Sequence, residues 1–96
     1  MGKMQLLFSN EVTLDDNRSM RLEYKITENL KADSGEPYYG IQIAKYLGNN
    51  VEIDEIKGIS YSKDKVEAII KILYENVVTP ISMVEIMDDL ITLEAV

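Results

Sequence analysis

The chain has 96 residues, 46% of them apolar, which suits one domain; two halves would each be too small to bury a core. It carries no Cys and no His, which removes disulfides, thiolate nucleophiles, the usual zinc ligands and the commonest general base. Its formal net charge of −7 would repel a phosphate backbone, so nucleic acid is not expected as a partner.

The apolar runs are far short of a membrane span, and the N-terminus lacks the apolar core and cleavage site of a signal peptide. Met1-Gly2 matches only the loosest part of a myristoylation pattern. A cytoplasmic protein is therefore expected, and the missing cysteines fit a reducing compartment.

Met4, Leu6, Phe8, Val12 and Leu14 fall on even positions, so the spacing predicts a first strand with its core face on that parity and a break near Ser9-Asn10. Asp15-Asp16-Asn17 is turn chemistry, with short side chains that bond their own backbone and tolerate positive φ. The second strand is the clearest in the chain. Met20, Leu22, Tyr24 and Ile26 alternate with Arg21, Glu23, Lys25 and Thr27, so one face is buried and the other wet.

A polar loop, Lys31 to Pro37, precedes a third strand over 38–47 with Tyr39, Ile41 and Ile43 on the core face. Gly40 within it predicts a close backbone neighbour or a bulge. Gly48-Asn49-Asn50 signals a hairpin. In the fourth strand, 51–59, Val51 and Ile53 are two apart but Ile53 and Ile56 are three apart. A bulge at Asp54-Glu55 or a bend near Gly58 is expected to reconcile them.

Ser60 or Ser62 can cap a first helix in which Val66, Ile69, Ile70, Leu73 and Val77 form the apolar stripe. Pro80 ends it. Thr79 or Ser82 then caps a second helix with Met83, Ile86, Met87, Leu90 and Ile91 inward, and Ser82 has capping-box spacing to Glu85. The expected fold is α+β: a four-stranded antiparallel meander followed by two C-terminal helices packed on one sheet face. The domain spans 1–96, with 92–96 expected to fray.

Candidate chemistry is sparse. Glu85, Asp88 and Asp89 share one helix face, but hard cations take more oxygen ligands than these supply, so a solvated acidic face is the better reading. Glu52, Asp54 and Glu55 read in the same way, as solvation or edge protection of the fourth strand. No metal, cofactor or catalytic residue is assigned. No phosphate loop or nucleophile elbow is present, and no enzyme activity is expected.

Tyr38 and Tyr46 share the face opposite the core, with Gln42 and Ala44 between them. That face is less polar than a free surface should be, which marks Tyr38 and Tyr46 as candidate protein contacts. Beyond Lys71 the chain has five acids and no Lys or Arg, so Glu85, Asp88 and Asp89 extend the candidate surface toward a basic partner. Val77-Val78-Thr79-Pro80-Ile81 reads as a helix–helix corner whose valines finish the core.

Tyr39-Gly40-Ile41, Lys65-Val66, Asn76-Val77-Val78-Thr79-Pro80-Ile81 and Asp88-Asp89-Leu90-Ile91 together resemble a family of small uncharacterised bacterial proteins, a domain of unknown function found mainly in Gram-positive anaerobes. The resemblance covers nearly the whole chain and implies a stand-alone cytoplasmic domain with no assigned activity or catalytic residues. The residues support one leading expectation: a small acidic module that binds another protein, or itself as a homodimer, in a regulatory role. The alternative from another class is a small-molecule or divalent-metal-binding protein using the surface carboxylates. An acidic mimic of nucleic acid is a third.

Overall fold

The computed structural model describes residues 3–83 and 85–87. Four strands, β1 (Lys3–Thr13), β2 (Ser19–Leu30), β3 (Pro37–Leu47) and β4 (Asn50–Ser60), form one antiparallel sheet in the order β1-β2-β3-β4. A helix, α1 (Lys63–Glu75), follows, and a short second helix, α2, joins it, described at residues 80–83 and 85–87. The fold is the α+β meander-plus-helices that the pattern predicts. The segment 92–96, expected to fray, lies outside the described residues.

The core forms on one side of the sheet. Met20, Leu22, Tyr24 and Ile26 of β2 and Ile41 and Ile43 of β3 meet Val66, Ile69, Ile70 and Leu73 of α1, with Val78, Met83 and Met87 closing the far end. Each of the larger aliphatic side chains removed from water here contributes about 1.5–3 kcal/mol, which is what holds helices to sheet. The molecule measures 49 × 32 × 18 Å, and its short dimension suits one sheet and one helical layer.

β2 follows its alternation without interruption, so every inward residue pairs with an inward residue of β3: Ile26 with Ile41, Tyr24 with Ile43, Met20 with Leu47. The outer strands depart from the expected parity. In β1 the break comes at Leu7, not at Ser9-Asn10: Leu6 pairs with Lys25 and Phe8 with Tyr24, leaving Leu7 as an extra residue. Phe8 and Val12 therefore pack on the core, while Met4 and Leu6, expected to be inside, lie on the opposite face and are each 50% exposed.

β4 keeps a continuous register with β3 from Asn50 to Ile56, so no bulge forms at Asp54-Glu55. The irregularity falls between Ile56 and Ser60, where Gly58 takes φ 71°. Ile56 faces the core, and Val51 and Ile53 face away from it, 54% and 57% exposed. The three-residue spacing from Ile53 to Ile56 is a change of face rather than a bulge.

Local chemistry fixes the connections. Asp16 accepts from both the backbone and the guanidinium of Arg18, and Asn17 takes φ 67° in the β1–β2 turn. Leu47 pairs with Asn50 across Gly48-Asn49, with positive φ at Gly48 only, the pattern of a type II′ hairpin. Gly40 sits where β4 crosses close: a Cβ there would overlap the Ile56 carbonyl oxygen.

Ser62 caps α1 by accepting from Lys65 N–H at 3.3 Å. The helix ends in a Schellman motif, with Val78 N–H donating to Leu73 carbonyl and Val77 N–H to Tyr74 carbonyl. The left-handed position of that motif is Val77, at φ 52°. Val77 thus lies outside the apolar stripe and is 42% exposed, while Val78 enters the core at 4%. Thr79 carbonyl accepts from Ser82 N–H and Pro80 opens α2, so the cap is Thr79 and Ser82 lies inside the helix.

Candidate functional site

With both helices on one side, the other side of the sheet is an open face. Its residues follow from register: Met4, Leu6, Ser9 and Glu11 on β1; Arg21, Glu23, Lys25 and Thr27 on β2; Tyr38, Gly40, Gln42, Ala44 and Tyr46 on β3; Val51, Ile53 and Glu55 on β4. Tyr38 and Tyr46 stand on this face, where the alternation of β3 puts them. They are eight residues apart, or roughly 27 Å at the rise of an extended strand, so they mark two ends of the face rather than one patch.

Each tyrosine has an intramolecular partner. The Arg21 guanidinium lies 4.8 Å from the ring centre of Tyr46, a cation–π contact. Tyr38 packs edge-on to Tyr61, with ring centres 6.4 Å apart, and its ring covers Gly58. Both tyrosines are half-buried, held in place by these contacts with one side to solvent.

Between them runs a charged rung. Glu23 bridges Arg21 at 3.7 Å and Lys25 at 3.6 Å, and Gln42 donates to Glu55 at 3.3 Å. Partly exposed ion pairs at these distances contribute about 1 kcal/mol or less each, so the rung orders the face more than it stabilises the fold. Ala44 is fully covered beneath its longer neighbours. The apolar exposure sits at the margins, Met4 and Leu6 along one edge and Val51 and Ile53 along the other.

The described acidic candidates lie on different parts of the fold. Glu85 is exposed on α2, across the sheet from Tyr38 and Tyr46. Asp88 and Asp89 lie outside the described residues. Glu52 and Asp54 point to the helix side of β4 and Glu55 to the open face, and Glu52 is 3.7 Å from Lys45. Among the described residues no three acidic side chains come together as a metal site.

A shallow cleft of about 320 Å³ opens at the other end of the sheet, lined by the apolar Met4 and Ile26 and by Lys3, Gln5, Glu28, Tyr39 and Lys63. Burial pushes the Tyr39 phenol above its ordinary value, and the Glu28 carboxylate beside it adds to the shift. Two ammonium groups and one carboxylate give the cleft no single preferred ligand charge.

Sequence reasoning placed Tyr38 and Tyr46 on the open face but put Met4, Leu6, Val51 and Ile53 on the covered one. Two signals could have found them. Leu6-Leu7-Phe8 is three apolar residues in a row, which no strict alternation allows, and Ile53 and Ile56 cannot share one face of an unbroken strand.

The fold and its open face define a class, a meander sheet covered by helices on one side only. The chain belongs to a particular family within it: residues 3–93 match the family of unknown function DUF6514. Searches of curated proteins and of solved structures returned no match. No helix among the described residues is long and apolar enough to cross a membrane.

Proposed function

We propose that this chain is a small protein-binding module that receives a basic partner protein on the open face of its sheet. The observation that carries the reading is the exposure of Met4, Leu6, Val51 and Ile53 on the same side as Tyr38 and Tyr46. Large apolar side chains grouped on one side of a sheet and framed by charges suit a contact surface, with the aromatics as anchors.

The charged rung of Arg21, Glu23 and Lys25 gives such a contact its orientation. The basic character of the partner follows from the net charge of −7 and from the chain beyond Lys71, which includes Glu85, Asp88 and Asp89 and has no cation. In this reading Glu85, exposed on α2 across the sheet, steers the partner at long range and does not touch it. The role is regulatory and non-enzymatic, because a sequence without His or Cys offers little to activate a nucleophile. The cytoplasm is the compartment that the cysteine-free sequence fits.

Photo-crosslinking in the cells that make the protein tests this. A crosslinking residue replaces Tyr46 or Ile53 on the open face, or Ala68 on the exposed side of α1. The expected result is one adduct of common mass at 46 and 53, absent at 68, with a basic protein as its second component. An adduct of twice the chain's mass would replace the hetero-partner with a homodimer. Adducts at 68 alone would move the contact to the helices and overturn the reading.

A further inference from the structure

The hydrogen-bond geometry of β4 says what kind of segment its free edge can take. Leu47 and Asn50 close a two-residue hairpin, so they are the hydrogen-bonded pair beside the turn. Alternation then makes Tyr46–Val51, Ala44–Ile53 and Gln42–Glu55 the non-hydrogen-bonded pairs, whose β4 members direct N–H and C=O away from β3. Glu55 bears this out, because its N–H donates to the Asp54 carboxylate at 2.9 Å. The main-chain groups of Val51 and Ile53 therefore face the outer edge, and among the described residues no strand pairs with it.

Edge strands are ordinarily blunted by Pro, by charged side chains (Lys above all) or by a bulge. β1 has its bulge at Leu7. The irregularity of β4 lies beyond Ile56, and residues 50–56 contain no Pro, Lys or Arg. What they contain is Glu52, Asp54 and Glu55. These acids disfavour a second copy of the chain on this edge. Antiparallel self-pairing centred on Ile53 sets Glu52 against Asp54 of the second copy, and pairing centred on Glu52 sets that residue against itself.

We infer that the outer edge of β4 accepts an extended segment of the partner protein in which Lys or Arg alternates with apolar residues. The inference rests on the protein-binding reading above and names the form the partner takes. Residues of the segment opposite Val51 and Ile53 lie on the open face, where they extend its apolar margin. Residues opposite Glu52 and Asp54 lie on the helix side, where cations meet carboxylates; the Glu52 side chain is 45% exposed even with Lys45 beside it. Main-chain pairing supplies the affinity and the alternation supplies the selectivity.

The probe is a labelled nine-residue peptide alternating Lys and Val, with a Glu-and-Val counterpart, titrated against the full chain by fluorescence anisotropy. The Lys peptide is expected to bind, more weakly as salt rises, and to slow amide exchange at Val51 and Ile53. The Glu peptide is expected not to bind. Ile53→Pro removes an outward donor and no bond to β3, so it should keep the fold and weaken the Lys peptide at least tenfold. Should that variant unfold, Glu52→Lys with Asp54→Lys serves instead and should reverse the preference toward the Glu peptide. Equal binding of both peptides would overturn the inference, as would a Lys-peptide affinity unchanged in a folded variant. Such a failure would leave the crosslinks at Tyr46 in place, whereas loss of those crosslinks removes the open-face reading itself.

Discussion

The Tyr24 hydroxyl donates a hydrogen bond to the Val78 carbonyl at 2.9 Å, tying the middle of β2 to the corner between the two helices. Tyr74 packs edge-on to Tyr24 and stacks on Phe8, and the Tyr74 carbonyl accepts from the Asn10 amide at 2.9 Å. One cluster therefore joins β1, β2 and the end of α1, and it also sets where α2 starts. Tyr24→Phe should leave the Val78 carbonyl buried without a donor and cost about 2 kcal/mol. Urea unfolding of the variant, at unchanged slope, checks this.

The same phenol makes stability depend on alkaline pH. Burial pushes the Tyr24 hydroxyl above its ordinary value of 10.0; Tyr74 adds to the shift and Asn10 partly offsets it. A group whose folded value is raised favours the folded state while protonated. Its contribution is thus complete below pH 10.0 and is lost as pH rises from there through the folded value. Tyr24→Phe should show a shallower decline in unfolding free energy above that pH than the native chain. Parallel urea titrations across the alkaline range measure the difference.

Val77 occupies the left-handed position of a Schellman motif, at φ 52°, where a β-branched side chain is strained. Its side chain is 42% exposed, so little burial offsets the strain. Val77→Gly should stabilise the chain by about 1 kcal/mol, after the larger entropy of glycine in the unfolded state is deducted. The thermal midpoint should then rise by roughly 4–8 °C. Val77→Ala, which keeps a Cβ in the same conformation, should gain much less.

How much was legible in the sequence follows from how each element carries its register. β2 was readable because Met20, Leu22, Tyr24 and Ile26 alternate without a slip, and its neighbour β3 inherits that register. The start of α1 was readable from Ser62, and the corner from Pro80. The edge strands were not, because one extra residue at Leu7 reverses the faces of Met4 and Leu6, and nothing local to either residue records it. The same limit applied to the site. The register of β3 puts Tyr38 and Tyr46 on the open face, while the apolar margins lie on strands whose parity the local pattern does not reveal. The end of α1 was hidden for a different reason: the left-handed residue is a valine where a glycine would have announced it.

Gly40 is fixed by its neighbours rather than by its own dihedral angles. A Cβ at this position would overlap the Ile56 carbonyl oxygen and lie 2.8 Å from Thr27 Oγ1 and 3.1 Å from Gly58 N. Two of the three obstacles are backbone of β4, which can yield only by parting from β3. Gly40→Ala should cost about 3 kcal/mol, at the upper end of overpacking effects. A lowered thermal midpoint, with faster amide exchange in β4 than in β2, would show that the loss starts at this crossing.

Thr27 lies beside that crossing, 3% exposed, and its hydroxyl has no hydrogen-bond partner among the described residues. A buried hydroxyl without a partner costs about 1–3 kcal/mol relative to an apolar group. Thr27→Val keeps the branched shape and the strand preference and replaces the hydroxyl with a methyl. The variant should be more stable by about 1 kcal/mol, where an ordinary Thr→Val exchange in a bonded site would be destabilising. Urea unfolding of the two chains decides it. A loss of stability would mean that the hydroxyl has a bonding partner in solution, and the prediction fails. With Gly40→Ala in the same chain, the effects should not add, since Thr27 Oγ1 is one of the atoms the new Cβ would meet.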